Sequence, residues 1–140
     1  MELNRKAKGD LAELKVATDL RGRGYKLALP YGEDWDFDLI LCRETGEMER
    51  VQVKHTRSDG CVISVRARSH SLTNGKVRAT KHYTSATIDW LAVWDATLDR
   101  CYYVPAAELG DGMTELRLRV VPARNGQTRR IRPAERYTKI

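Results

Sequence analysis

No run of about 18 apolar residues occurs in the 140-residue chain, so no membrane-spanning helix is expected. The stretch Met1-Glu-Leu-Asn-Arg-Lys6 lacks the apolar core of a signal peptide, which leads to the expectation of a cytoplasmic protein. Cysteine is scarce. Cys42, Cys61 and Cys101 show no C-x-x-C spacing, which argues against a zinc site or a disulfide framework and for reduced thiols. His55, His70 and His82 form neither H-x-x-H nor H-E-x-x-H, so a histidine-based metal site is not expected. No internal repeat or linker divides the chain, and its length suits one compact domain, residues 1–140. Hydrophobic residues make up 41%, enough for a real core.

Acidic residues are nearly missing from one place, the C-terminal stretch. Residues 1–60 hold 11 Lys/Arg against 12 Asp/Glu, and residues 61–116 hold 6 against 6. Residues 117–140 hold 8 against 1, so this basic extension carries more than the whole net charge of +6. Seven of its eight cations are arginine, whose planar donor fork suits phosphate. A second basic stretch, with no acid inside it, contains Arg66, Arg68, Lys76, Arg78 and Lys81. These five, with Arg129, Arg130 and Arg132, are the candidate DNA contacts, acting on phosphates rather than bases. A plain solvated tail is the competing reading. A membrane surface is disfavoured, because no amphipathic basic helix accompanies the charge.

Apolar residues at Leu3, Ala7, Leu11, Leu14, Ala17 and Leu20 recur at helical steps and predict a helix over residues 3–22. Gly24 is the candidate residue just past its end. Short strands are expected over 25–30, 36–42, 49–56 and 61–68. Residues 69–82 are polar, Gly-containing and basic, and read as a loop. Residues 83–89 read as a short helix. A strand pair follows at 91–95 and 101–104, then a helical turn at 105–109 opened by Pro105, and a last strand at 116–121. This order, a helix followed mostly by strands, points to an α/β (α+β) fold with the N-terminal helix packed on a central mixed β-sheet.

The chemistry concentrates on two neighbouring strands. Side chains alternate along a strand, so Asp36 and Asp38 share one face, and Gln52 and Lys54 share one face. A hairpin turning near Thr45-Gly46 sets Asp38 opposite Gln52 or opposite Lys54, depending on register. Both arrangements cluster the three. Glu13 sits at the edge of the buried helix face, where it can point over the sheet. An aspartate within an apolar strand needs a partner, and a purely structural Asp38–Lys54 pair is the competing reading. The chemical reading is phosphodiester hydrolysis. Asp38, Gln52, Glu13 and the Val53 carbonyl offer oxygens to a hard divalent cation. Lys54 is placed to orient water or to offset charge on phosphoryl oxygens.

At these residues the chain resembles the PD-(D/E)xK nuclease superfamily, with its restriction-endonuclease-like fold. Gly9-Asp-Leu-Ala-Glu13, the Arg23-Gly-Tyr25 turn, Phe37-Asp38-Leu39 and Val51-Gln-Val-Lys54 are similar to its intron-associated branch, where glutamine can replace the third acid. Ile88-Asp-Trp-Leu-Ala-Val-Trp94 through Tyr102-Tyr-Val-Pro105 is similar to that branch too. The likeness covers about residues 7–109, and residues 110–140 carry nothing that matches. It implies a magnesium-dependent endonuclease acting on double-stranded DNA, with Mn²⁺ as a possible substitute. The implied catalytic set is Glu13, Asp38, Gln52 and Lys54. Two departures stand out: Phe37 occupies the proline position, and Gln52 is neutral, with Asp36 available to compensate. Holliday junction resolvases share the fold and the order of these residues. A DNA-binding module with a degenerate site is the reading from another class. A homodimer or higher homo-oligomer is expected, since each site cuts one strand of a duplex.

Overall fold

A computed structural model describes residues 1–73, 76–127 and 129–140. A single long helix, α1 (Arg5–Gly22), opens the chain. The Asn4 side chain caps it by accepting from the Ala7 N–H at 2.8 Å. At the other end the Gly24 N–H donates to the Arg21 carbonyl and the Tyr25 N–H to the Leu20 carbonyl. This closing pair requires Gly24 at φ +92°, where glycine is at ease. No described helix is long and apolar enough to cross a membrane.

The strands are β1 (Lys26–Ala28), β2 (Leu39–Cys42), β3 (Met48–Thr56), β4 (Val62–Arg66), β5 (Arg68–Thr73), β6 (Lys76–His82), β7 (Trp90–Asp95), β8 (Arg100–Pro105) and β9 (Glu115–Arg119). The central sheet runs β1-β2-β3-β7-β8. It is mixed: β3 and β7 are parallel, and the other neighbours are antiparallel. Two smaller antiparallel pairs, β4–β9 and β5–β6, stand beside it. Short 3₁₀ turns follow at Ala106–Leu109 and Ala134–Tyr137.

Each face of the central sheet has its own core. Ala12, Val16 and Leu20 of α1 lie on Leu39, Leu41, Val51, Val53, Ala92, Trp94 and Tyr103. On the opposite face Leu91, Val93, Tyr102 and Val104 meet Ile63, Val65, Leu116 and Leu118 of the β4–β9 pair. Tyr137 and Ala134 join that second core, so the basic C-terminal stretch also contributes packing.

Three expectations from the sequence need correction. The buried stripe of α1 is Ala12–Val16–Leu20, whereas Leu14 is 66% exposed and Leu3 is 39% exposed. Small side chains at positions 12 and 16 let the helix come close to the sheet, which outweighs the larger leucines. Where a loop is expected over 69–82, β5 and β6 pair as antiparallel strands, with residues 74–75 outside the described residues. Residues 83–89 form turns, not a helix; Thr84 accepts the N–H groups of Thr87 and Ile88 and its hydroxyl takes that of Ala86.

Asp95 is fully buried at the end of β7. Its carboxylate accepts from the Ser58 N–H (2.9 Å), the Ser58 hydroxyl (2.7 Å) and the Thr97 N–H (3.2 Å). It thus holds the β3–β4 turn against the β7–β8 turn. Asp95→Ala leaves these donors without an acceptor and is expected to lower unfolding free energy by about 3 kcal/mol. Urea denaturation checks this; a loss below about 0.5 kcal/mol, the size of an ordinary surface change, would show that the turn rests on other contacts.

Candidate active site

The β2–β3 hairpin turns at Gly46, with Leu39 opposite Val51 and Ile40 opposite Arg50. That register carries Asp38 to the level of Gln52, one of the two arrangements expected. Asp38 lies just before β2 begins, where the two strands part. Its N–H still donates to the Val51 carbonyl at 2.9 Å, but its carboxylate takes the Val53 N–H at 2.9 Å. A side chain thus replaces the next ladder bond. The gap opens the sheet beside β3 and leaves Asp38 near the sheet plane.

Glu13 reaches this gap from α1. It sits one residue past Ala12 and flanks the buried stripe, so packing of the helix on Val51 and Val53 brings it to Asp38. The two carboxyls share a hydrogen bond. Burial, the Asp38 charge and that bond push the Glu13 carboxyl up to about 7. Burial also raises Asp38, although the Val53 N–H, the bond from Glu13 and the Lys54 charge pull the other way. Both carboxyls are thus raised, with burial the first cause in each.

Lys54 approaches from the other face of the sheet, since Val51 and Val53 face α1 and Gln52 and Lys54 do not. Its ammonium donates to the Arg68 carbonyl at 3.3 Å and lies 5.0 Å from the centre of the Tyr83 ring. Burial lowers its basicity, the Asp38 charge opposes that, and Arg66 adds to it. The Gln52 side-chain N–H donates to the Val53 carbonyl at 3.3 Å. Glu13, Asp38, Gln52, the Val53 carbonyl and Lys54 are thus gathered around one short piece of β3.

Asp36 is engaged elsewhere: Lys81 of β6 pairs with it at 2.6 Å. That contact ties the β5–β6 hairpin to the segment leading into Asp38. Arg66 and Lys76 are exposed and Arg68 is half-buried. The side chain of Arg78 lies outside the described residues. Arg129 and Arg130 are exposed in the C-terminal stretch, and Arg132 pairs with Glu108 at 3.8 Å.

Tyr83 and the Arg68 carbonyl are contacts of Lys54 that sequence reasoning did not find, because it took the hairpin for a loop. A signal was present. Asn74-Gly75 is a strong two-residue hairpin dipeptide, outweighed in the reading by the polar and basic composition around it.

The donor chemistry fits a hard divalent cation. Two carboxyls meet beside Val53, whose N–H Asp38 accepts and whose carbonyl takes the Gln52 amide N–H, and the shared proton stands where positive charge is called for. Among the described residues no three His, Cys, Asp or Glu side chains gather as a metal set.

A family model described as PD-(D/E)XK endonuclease matches residues 3–140. The chain belongs to the PD-(D/E)XK endonuclease family. The match runs through residues 110–140, beyond the stretch in which motifs are legible. The fold is similar to that of a bacterial homing endonuclease, I-Ssp6803I, with a TM-score of 0.75 and 20% sequence identity. That likeness covers 96% of this chain and 88% of the homing endonuclease. It identifies the architecture as the restriction-endonuclease-like fold of the family. No curated protein sequence matches the chain at a significant level.

Proposed function

We propose that this PD-(D/E)XK family member is a magnesium-dependent endonuclease that hydrolyses phosphodiester bonds of double-stranded DNA. Residues 1–140 are read as one nuclease domain with a basic C-terminal extension, working in the cytoplasm as a homodimer or larger homo-oligomer. The observation that carries the reading is the Glu13–Asp38 pair beside Val53 with Lys54 next to it. Family membership supports nuclease chemistry, and likeness to a homing endonuclease supports DNA as the target.

Glu13, Asp38, the Gln52 amide oxygen and the Val53 carbonyl would hold Mg²⁺ (Mn²⁺ as a substitute). When bound, the ion supplies Lewis acidity toward a phosphoryl oxygen and acidifies water. The chain's own residues supply the rest. Lys54, fixed between the Arg68 carbonyl and the Tyr83 ring, orients water and offsets charge on the phosphoryl oxygens. Arg66, Arg68, Lys76, Arg78 and Lys81 hold the backbone near the cut. Arg129, Arg130 and Arg132 add phosphate affinity without reading bases.

Incubation with duplex, four-way and single-stranded DNA, with Mg²⁺ or with EDTA, tests the reading. Mg²⁺-dependent cutting of duplex is expected. Preference for four-way DNA would make it a junction resolvase. Salt-sensitive binding without cutting in any divalent cation would leave a DNA-binding module. Gln52→Glu adds a charged donor where an amide stands and is expected to tighten Mg²⁺ binding about tenfold in calorimetry. Unchanged affinity in both Gln52→Glu and Gln52→Ala would remove Gln52 from the ligand set.

A further inference from the structure

The outer face of the β4–β9 pair carries a row of arginines of which the proposed site uses only Arg66. Ile63, Val65, Leu116 and Leu118 are buried against the central sheet. Alternation therefore turns Ser64, Arg66, Arg117 and Arg119 outward. In the register, Arg66 lies across from Glu115, Ser64 from Arg117 and Val62 from Arg119. Arg66, Arg117 and Arg119 thus step diagonally along one surface. Successive outward positions on a strand stand about 6.8 Å apart, so the row is on the order of 13 Å long.

Its two ends differ. At one end Arg66 closes β4 two residues before Arg68, whose carbonyl accepts from the Lys54 ammonium at 3.3 Å, so the row begins beside the candidate site. At the other end a cavity of about 710 Å³ is lined by Arg117, Arg119, Arg124, Arg130 and Arg132 against one carboxylate, Asp59. Asp59 is occupied by the N–H groups of Cys61 and Val62, at 2.8 and 2.9 Å. Glu115 meets Arg117 only at 3.5 Å on an exposed surface. Arg124 and Arg130 make no hydrogen bond or ion pair with another described residue. Arg132 pairs with Glu108 at 3.8 Å, and the guanidinium charge left over makes a positive surface suited to an anion of extended shape.

We infer that this face is a phosphate track for duplex DNA flanking the cut on one side, running from the site along β4–β9 into the arginine-lined cavity. The inference rests on the nuclease reading of the site. A duplex rises about 3.4 Å per base pair, so the row alone spans about four base pairs beyond Arg66 and the cavity extends the contact further. Guanidinium groups on phosphates carry no sequence information, so the track sets footprint and affinity and leaves target choice to other residues.

The test is the triple variant Arg117→Ala/Arg124→Ala/Arg130→Ala, none of which touches Glu13, Asp38, Gln52 or Lys54. Binding to a random-sequence duplex of about 24 base pairs is followed by fluorescence anisotropy over a salt series. The slope of log affinity against log salt is expected to flatten by about 2–3 units. A control, Arg5→Ala/Lys6→Ala/Lys26→Ala, removes equal charge on the α1–β1 side and is expected to leave the slope within one unit. Equal slopes for the triple variant and the parent would overturn the track, as would equal flattening in the control. A change of oligomeric state by light scattering with the slope unchanged would make this face a protein interface instead, and would overturn the track too. Mg²⁺-dependent nicking of a supercoiled plasmid by the parent separates the two readings. A parent that binds with a slope the triple variant flattens, but never nicks, keeps the track and loses the nuclease.

Discussion

Lys54→Ala is expected to slow single-turnover cleavage of duplex DNA by on the order of a hundredfold or more while leaving duplex affinity within a few-fold, as for loss of one transition-state electrostatic group. Lys54 brings positive charge to a place where two carboxyls already meet, and burial confines that charge to one direction. Its ammonium has a fixed seat, the Arg68 carbonyl at 3.3 Å and the Tyr83 ring at 5.0 Å, so it pays little to be oriented. Lys54→Arg keeps the charge but spreads it over a planar fork that this seat does not match, and is expected to recover only part of the rate. Thermal melting and circular dichroism check the fold. A folded Lys54→Ala protein that cuts at the parental rate would remove Lys54 from the chemistry and leave its seat against the Arg68 carbonyl and the Tyr83 ring as its whole role.

Asp38→Ala is expected to abolish cutting to a similar degree and, unlike the lysine variant, to abolish Mg²⁺ binding as well. The variant also has a signature in titration. The Glu13 carboxyl stands at about 7 because of burial first, then the Asp38 charge and the hydrogen bond to it. Removing Asp38 deletes the second and third causes, so Glu13 should titrate lower, though burial keeps it above the usual range. The sign of the pH dependence follows. A carboxyl raised from 4.5 in the unfolded chain to about 7 in the folded one adds stability that is complete below 4.5 and lost as pH rises toward about 7. A divalent cation must displace the same proton, so Mg²⁺ affinity is expected to fall about tenfold per pH unit below about 7. Carbon-detected NMR of Glu13 and calorimetry on either side of neutrality check both statements. A Glu13 that titrates at an ordinary value in parent and variant alike would show that the two carboxyls do not interact.

Much of this was legible in the residues. Asp38 within an apolar run, Gln52 and Lys54 two apart, and a Gly-containing turn between them determine a cluster on adjacent strands, because a strand's side-chain period and a hairpin's register leave few arrangements. The helix and its end at Gly24 were equally plain, since only glycine sits easily at that positive φ. The order of the motifs along the chain already resembles the nuclease family.

Tertiary structure alone decided the rest. Residues 69–82 lack an apolar face of their own, so composition pointed to a loop, while pairing between β5 and β6 made a hairpin that seats Lys54. The α1 stripe shifted from the large leucines to Ala12 and Val16 because close approach to the sheet rewards small side chains. That shift is what delivers Glu13 to Asp38. The parting of β2 from β3 at Asp38 is a long-range event, since the Val53 N–H could have gone to main chain as easily as to a carboxylate. By itself the sequence determined that Asp38, Gln52 and Lys54 come together across one hairpin. Packing determined that Glu13 comes from one side of the sheet and Lys54 from the other, because which face a residue meets depends on what is folded against it.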